Sequence, residues 1–279
     1  AGYISAALTS GKTLNDGSIT IKPNVKYKEV LKSLSTDDVV KDATCDFDPT
    51  STLTLGESIL EPKELQVNLA LCKADFRSDW EAVQMGFSAF DKLPGSLAEY
   101  ILAYVAGKIA ESVENNIWNG DDSAASGNNL FEGFEQRLSS SALSGVGSTT
   151  ISASNVVTFL GKVVDNIPSA VYGKDDVTIY VPNNVYQSYV RSLGGFSSSS
   201  APTDGVDSQS SLWFNFQRGL TFEGMKIQRC PGMSSNRAIV GQASNLYFGT
   251  GLLSDHNEVK LLDMADLDGS QNVRVIARF

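Results

Sequence analysis

The chain has 279 residues, 42% hydrophobic and 19% charged, so it is globular and long enough for one large domain or two modest ones. Its 22 basic and 32 acidic residues give a net charge of −10, which rules out a broadly basic face and with it a dedicated nucleic-acid binder. Three cysteines, Cys45, Cys72 and Cys230, are an odd number with no CxxC pair. A complete disulfide framework is thereby excluded, and free thiols in a reducing compartment are expected.

Residues 1–8 have no basic n-region and no long apolar run, so they do not read as a secretion signal. No stretch approaches the roughly 18 consecutive apolar residues of a membrane span. Assembly in the cytoplasm is the expectation, and Ala1 in place of Met implies trimming of Met alone or of a longer leader. Residues 1–30 are polar, with turn signals at Asn15-Asp16-Gly17 and Pro23-Asn24, and read as an arm packing on something else; Val30, Leu31 and Leu34 follow at helical spacing. Thr52-Leu53-Thr54-Leu55 and Leu65-Gln66-Val67-Asn68-Leu69 alternate around Glu61-Pro62-Lys63, which predicts a long paired ribbon. Trp80, Val83, Gln84 and Phe87 predict a helix over 78–91, stopped by Leu93-Pro94-Gly95.

The strongest element comes next. Ser96-Leu97-Ala98-Glu99 is a capping box. From it Leu97, Tyr100, Ile101, Tyr104, Val105, Ile109, Val113 and Ile117 recur at helical spacing, with Lys108, Glu111 and Glu114 off the stripe. The helix closes at Asn119-Gly120, and at 1.5 Å per residue it is about 35 Å long. Residues 121–149 read as a Gly/Ser-rich linker around an apolar island at Leu130, Phe131 and Phe134.

Residues 150–250 read as an α/β unit. Ser154-Asn155 caps a helix that ends before Pro168. Residues 177–181 form a strand of strong β formers, and Pro182-Asn183-Asn184 starts a second helix. Residues 194–211 read as an exposed loop. Leu220 to Arg229 and Arg237 to Val240 read as strands joined across Pro231-Gly232-Met233. Two β segments close the chain, 257–262 and 272–279, around an acidic turn. No internal repeat is present.

Catalytic motifs are absent. Gly11-Lys12-Thr13 ends like a phosphate-binding loop, but the required earlier Gly is Ala6, so a surface turn is expected. His256 is the single histidine; it sits in a polar loop, with no Gly-x-Ser-x-Gly elbow to supply a nucleophile. Asp121-Asp122 and the set Asp263, Asp266 and Asp268 lack the EF-hand spacing and read as solvated acidic turns. No catalytic, cofactor or metal residue is assigned, and no cofactor is expected.

Several segments in order carry a resemblance. Glu114-Asn115-Asn116-Ile117-Trp118-Asn119-Gly120 looks like an acidic, aromatic, Gly-terminated helix end. Val177-Thr178-Ile179-Tyr180-Val181-Pro182-Asn183 is a strand-then-helix step. Phe222 to Ile227 leads through Pro231-Gly232-Met233, and Asn245-Leu246-Tyr247-Phe248-Gly249-Thr250 leads to the closing Val273-Arg274-Val275 strand. In this order the chain resembles the major capsid proteins of tailed phages, the Hong Kong ninety-seven lineage that also includes encapsulins. No scaffolding domain precedes the arm, so scaffolding would be separate or already removed.

The resemblance implies an α+β capsid fold. Its parts are an N-terminal arm at 1–45, an extended β ribbon (E-loop) at 46–80 and an axial α/β domain at 150–250. A peripheral domain takes 81–149 and 251–279, with a spine helix at 96–119. It further implies a non-enzymatic shell protein, with itself as partner in pentamers and hexamers. Portal, scaffold and decoration proteins would join it, around packaged double-stranded DNA that is held weakly and without sequence specificity, in a virion with no membrane contact. An encapsulin-like cargo compartment and a small α/β enzyme with an interfacial site remain the alternatives.

Overall fold

The computed structural model describes residues 11–36, 40–43, 45, 53–76, 95–139, 150–193, 220–251 and 259–278. The helices are α1 (Lys12–Asn15), α2 (Lys73–Phe76), α3 (Gly95–Asn119), α4 (Phe134–Arg137), α5 (Val156–Asp165) and α6 (Asn183–Leu193). The strands are β1 (Thr20–Lys22), β2 (Glu29–Thr36), β3 (Leu53–Leu60), β4 (Gln66–Cys72), β5 (Val177–Val181) and β6 (Thr221–Phe222). They continue with β7 (Met225–Arg229), β8 (Ile239–Gln242), β9 (Tyr247–Gly249), β10 (Val259–Asp263) and β11 (Asn272–Arg278).

The spine helix α3 forms where the apolar periodicity places it. Its buried residues are Ile101, Val105, Ile109, Val113 and Ile117, every fourth position, followed by Trp118. At about 100° per residue, each four-residue step advances the stripe by about 40°, so the apolar line winds around the helix. Tyr100 and Tyr104, expected on this stripe, are 52% and 59% exposed. Each precedes a stripe residue and is turned away from it.

Two buried clusters divide the molecule. One joins α3 to Leu14 and Ile19 of the N-terminal segment, to Tyr180, Cys230 and Leu246, and to Val275 and Ala277 of β11. The other joins α5 and α6 to Val177, Ile179, Val181, Met225 and Ile227. Strand β5 serves both, because successive side chains point to opposite sides of a sheet. Its odd positions enter the second cluster, Tyr180 enters the first, and all five residues are buried. Around β5 the sheet runs β6-β7-β5-β8, parallel between β5 and β7 and antiparallel elsewhere. The β6–β7 hairpin turns on Glu223 and Gly224, both at positive φ as a two-residue primed turn requires, so the single strand expected from Leu220 to Arg229 is two. A separate sheet, β10-β11-β4, is antiparallel.

Pairing corrects the expected ribbon. The two alternating runs around Pro62 are β3 and β4, but they do not pair with each other. β3 pairs with β2, and β4 pairs with β11. Alternation identifies a strand but not its partner. Val30 and Leu34 fit a helical spacing and a two-residue period equally well, and the structure selects β. The paired ribbon strands are therefore Glu29–Thr36 and Leu53–Leu60, rather than two strands within 46–80. The arm assignment at 1–45 changes with it: Leu14, Ile19 and Val25 are buried in the chain's own interior, and β1 pairs in parallel with β9.

Smaller corrections follow from contacts. Asn155 precedes α5 without a capping bond; its side chain instead accepts from Ser152 N (2.8 Å) and donates to Thr150 O (3.0 Å). The segment after α3 is packed rather than a free linker: Phe134 lies 5.4 Å from the Trp118 ring and Phe131 6.2 Å from Phe248. The helix expected at 78–91, the loop at 194–211 and His256 lie outside the described residues.

Candidate assembly surface

The C-terminal end of α3 is closely packed and hydrogen-bonded to distant parts of the chain. Glu114, expected on the exposed side, is 5% exposed. Its carboxylate accepts from Thr13 N at 3.1 Å and from the Thr13 hydroxyl. That hydroxyl in turn accepts from Trp118 Nε1 at 2.9 Å. Asn116 accepts from Leu130 N at 3.0 Å and donates to Ser112 O at 2.8 Å. Gly232 lies flush on the helix; a Cβ there would stand 2.1 Å from Glu114 O. Glu135 accepts from Ser234 N at 2.6 Å and pairs with Arg237 at 3.0 Å. The N-terminal segment ties this end to β7 and β5: Gln228 Nε2 donates to Asp16 at 2.9 Å and Tyr180 OH to Ser18 O at 2.6 Å.

These contacts dispose of the phosphate-loop resemblance and also correct the surface-turn expectation. Gly11 and Thr13 are buried. The backbone amide and hydroxyl that would hold an anion already hold the chain's own Glu114. Sequence reasoning missed this cluster because Thr13 and Glu114 are 101 residues apart. The local signal was Glu114 and Trp118 spaced one helical turn apart.

The other candidates are committed elsewhere. Asp121 accepts from Ser123 N and Oγ (3.0 and 2.6 Å), and Asp122 pairs with Lys63 at 2.7 Å, which holds its carboxyl below the usual range. Asp263 pairs with the buried Lys73, and Asp268, held low by the Ser270 hydrogen bond, caps the following turn. Among the described residues no group of three acids, histidines or cysteines is placed to hold a metal, and no helix is long and apolar enough to cross a membrane. Cys45 is exposed, Cys72 half-buried and Cys230 buried, with burial pushing the Cys230 thiol far up. A shallow hollow of about 470 Å³ beside Tyr172 and Met225 is lined by Lys174, Asp175, Glu223 and Lys226, without Ser, Cys or His.

Among the described residues, the ribbon carries a row of exposed large apolar side chains. β2 and β3 pair from Glu29↔Leu60 to Thr36↔Leu53, and residues directly opposite share a face. One face carries Val30 opposite Ile59 and Leu34 opposite Leu55, with Leu53 beyond. These are 46, 53, 60, 66 and 62% exposed, in that order. Lys32 opposite Glu57 interrupts them. Eight residues span about 27 Å, and two strands alone are marginally stable in water. The base is fastened: Lys22–Glu29 (2.5 Å) and Lys28–Glu61 (3.0 Å) are ion pairs, and Leu60 packs where a Gly249 side chain would sit. Among the described residues, the apolar face along the blade meets no such partner. An exposed strand face carrying this many apolar side chains invites association.

No known family profile and no curated protein sequence matches the chain. Solved structures do. A chain of the capsid of Myoviridae phage XM1 superposes with a TM-score of 0.55 at 13% identity, covering 96% of this chain and 86% of that one. A chain from Mycobacterium phage Bobi gives 0.55 at 15%, covering 96% and 82%. A chain of the satellite phage P4 procapsid, which includes the Sid size-determination protein, gives 0.51 at 11%, covering 98% and 90%. This chain has the tailed-phage capsid fold. The α+β expectation from the order of short motifs is thus borne out, and the spine helix, ribbon and β5-centred sheet are its parts.

Proposed function

We propose that this chain is a major capsid subunit that self-assembles into the icosahedral or prolate head shell of a tailed phage around double-stranded DNA. Its role is structural rather than catalytic. The observation that carries the reading is an exposed apolar ribbon, fastened at its base, on a chain with the capsid fold. A neighbouring copy covers that face. Such head-to-tail contacts close into rings and shells, and many modest contacts together make the shell durable. The β5-centred unit acts as the axial domain, and α3 with the β10-β11-β4 sheet as the peripheral domain. Assembly takes place in the host cytoplasm with scaffold and portal proteins, and the finished shell belongs to the virion. The acidic balance suits a wall that holds DNA weakly.

Electron microscopy of the purified chain, alone and with a scaffold partner, tests this. The expected result is closed shells tens of nanometres across, containing nucleic acid when recovered from infected cells. A homogeneous monomer or small oligomer under both conditions would overturn the reading.

A further inference from the structure

The stretch 20–32 is unlike the rest of this acidic chain. It carries Lys22, Lys26, Lys28 and Lys32 against one acid, Glu29, where the whole chain has a net charge of −10. Its exposed part is the bend between β1 and β2, where Pro23, Asn24, Lys26, Tyr27 and Lys28 are open to solvent and Val25 is buried. Tyr27 is 85% exposed.

A single exposed ring is ordinary on a protein surface. Two features set this one apart. The first is that the backbone carrying it is fixed on both sides. Upstream, Thr250 N donates to Lys22 O and Val25 N to Thr250 O, both at 3.0 Å, and Asn24 at φ 66 turns the chain. Downstream, β2 starts at Glu29 in register with Leu60, and the ion pairs Lys22–Glu29 and Lys28–Glu61 hold its root. A ring on backbone already in place loses little freedom when it is covered. The second feature is charge. Tyr27 lies between Lys26 and Lys28 in the sequence, and among the described residues Lys26 forms no ion pair, whereas Lys22 and Lys28 do.

The chemistry of the bend selects its partner. Copies of a chain at −10 repel one another, so their association needs a local patch of the opposite sign. Double-stranded DNA fits less well: its bases are already stacked and closed to a protruding ring, and one unpaired lysine neutralises little of its charge. We propose that Tyr27, with Lys26 beside it, is an anchor that docks on an acidic surface of a second copy of this chain. The inference rests on the shell reading above and adds a contact apart from the apolar face of β2 and β3. Tyrosine brings a large contact area on few rotatable bonds, which is why it recurs among the residues that dominate interfaces. The lysine steers the approach and disfavours misplaced copies.

The test places a photoactivatable benzophenone amino acid at position 27 of the full chain and identifies what it captures by denaturing gel and mass spectrometry. A covalent dimer is expected. Capture of nucleic acid or of a different protein, or no dimer at all, overturns the inference. Substitutions give a second reading, as shell yield by sedimentation, with thermal melting of the unassembled chain as the folding control. Tyr27→Ala is expected to raise the protein concentration needed for assembly about tenfold, while Tyr27→Phe keeps the ring and should assemble close to wild type. Full yield from the folded Tyr27→Ala chain overturns the anchor. Lys26→Glu is expected to lower yield at low salt, with the loss fading at about 1 M salt. A Lys26→Glu chain that assembles like wild type at low salt overturns the acidic character of the partner surface. A wild-type chain that forms no shell overturns the capsid reading, and the presence or absence of the covalent dimer still decides this inference separately.

Discussion

Val113, Ile117 and Trp118 at the end of the spine helix are 2, 2 and 0% exposed, while Val30, Leu34, Leu53, Leu55 and Ile59 on the ribbon are 46 to 66% exposed. Both sets are large apolar side chains in regular secondary structure. At the spine end every neighbour comes from the same chain: Phe134 and Tyr180 flank the Trp118 ring at 5.4 and 5.2 Å, and the buried polar atoms of Thr13 and Glu114 satisfy each other. On the ribbon, strand pairing satisfies the backbone but leaves the side chains facing outward. One region is completed by folding, and on the shell reading proposed above the other is completed by a second molecule. Substitutions in the two should therefore fail different assays.

The largest effect is expected from Trp118→Ala. It empties the centre of the first cluster and removes the Nε1–H that donates to the Thr13 hydroxyl oxygen, and it should cost about 3–5 kcal/mol in denaturant unfolding of the unassembled chain. Next is Glu114→Ala, which leaves the buried Thr13 amide and hydroxyl without an acceptor, at about 1–3 kcal/mol. Glu114→Gln retains an acceptor oxygen and should be milder. If Glu114→Ala were neutral, the N-terminal segment would not be part of the core.

The ribbon should show the reverse profile. Leu34→Ser combined with Leu55→Ser removes one cross-strand apolar pair from an exposed face. The unassembled chain should keep its stability within about 0.5 kcal/mol. Shell formation should nevertheless fail or require much higher protein concentration. A folded double variant that assembles like the wild type would erase the distinction between the two regions.

The two regions also differed in how far the sequence revealed them. The spine helix was legible because its partners need not be known: spacings of four and a Gly-containing end define it locally. The β5 strand and the helix after it were legible for the same reason. The ribbon's pairing was not, since β2, β3 and β4 all carry acceptable period-2 patterns and only β11, at the far end of the chain, claims β4. The buried Glu114 was equally hidden. A carboxylate on a helix reads as solvated until a donor from about a hundred residues away is placed beside it. The assembly surface was legible as a ribbon but not as an apolar face, because which side chains share a face follows from the β2–β3 register.

The smallest expected effect concerns the clasp between the N-terminal segment and β7. Burial pushes the Asp16 carboxyl up, but the Lys12 and Gln228 hydrogen bonds, with the charges of Lys12 and Lys226, outweigh it and hold the group below its ordinary value of 3.8. A carboxyl lowered on folding stabilises the native chain above its unfolded pKa, and this contribution is lost as pH falls through the folded value. Melting temperatures of wild type and Asp16→Asn should therefore differ by a small constant amount from about pH 7 to about pH 5 and converge below about pH 4. The convergence, rather than the size of the gap, is the diagnostic. Asn can still accept from Gln228 but carries no charge for Lys12, so a gap that persists at about pH 2 would show that shape rather than charge holds Asp16 in place. A gap that closes would make this clasp an ionic link between the N-terminal segment and β7, one that acid loosens while the apolar contacts of the spine end stay intact.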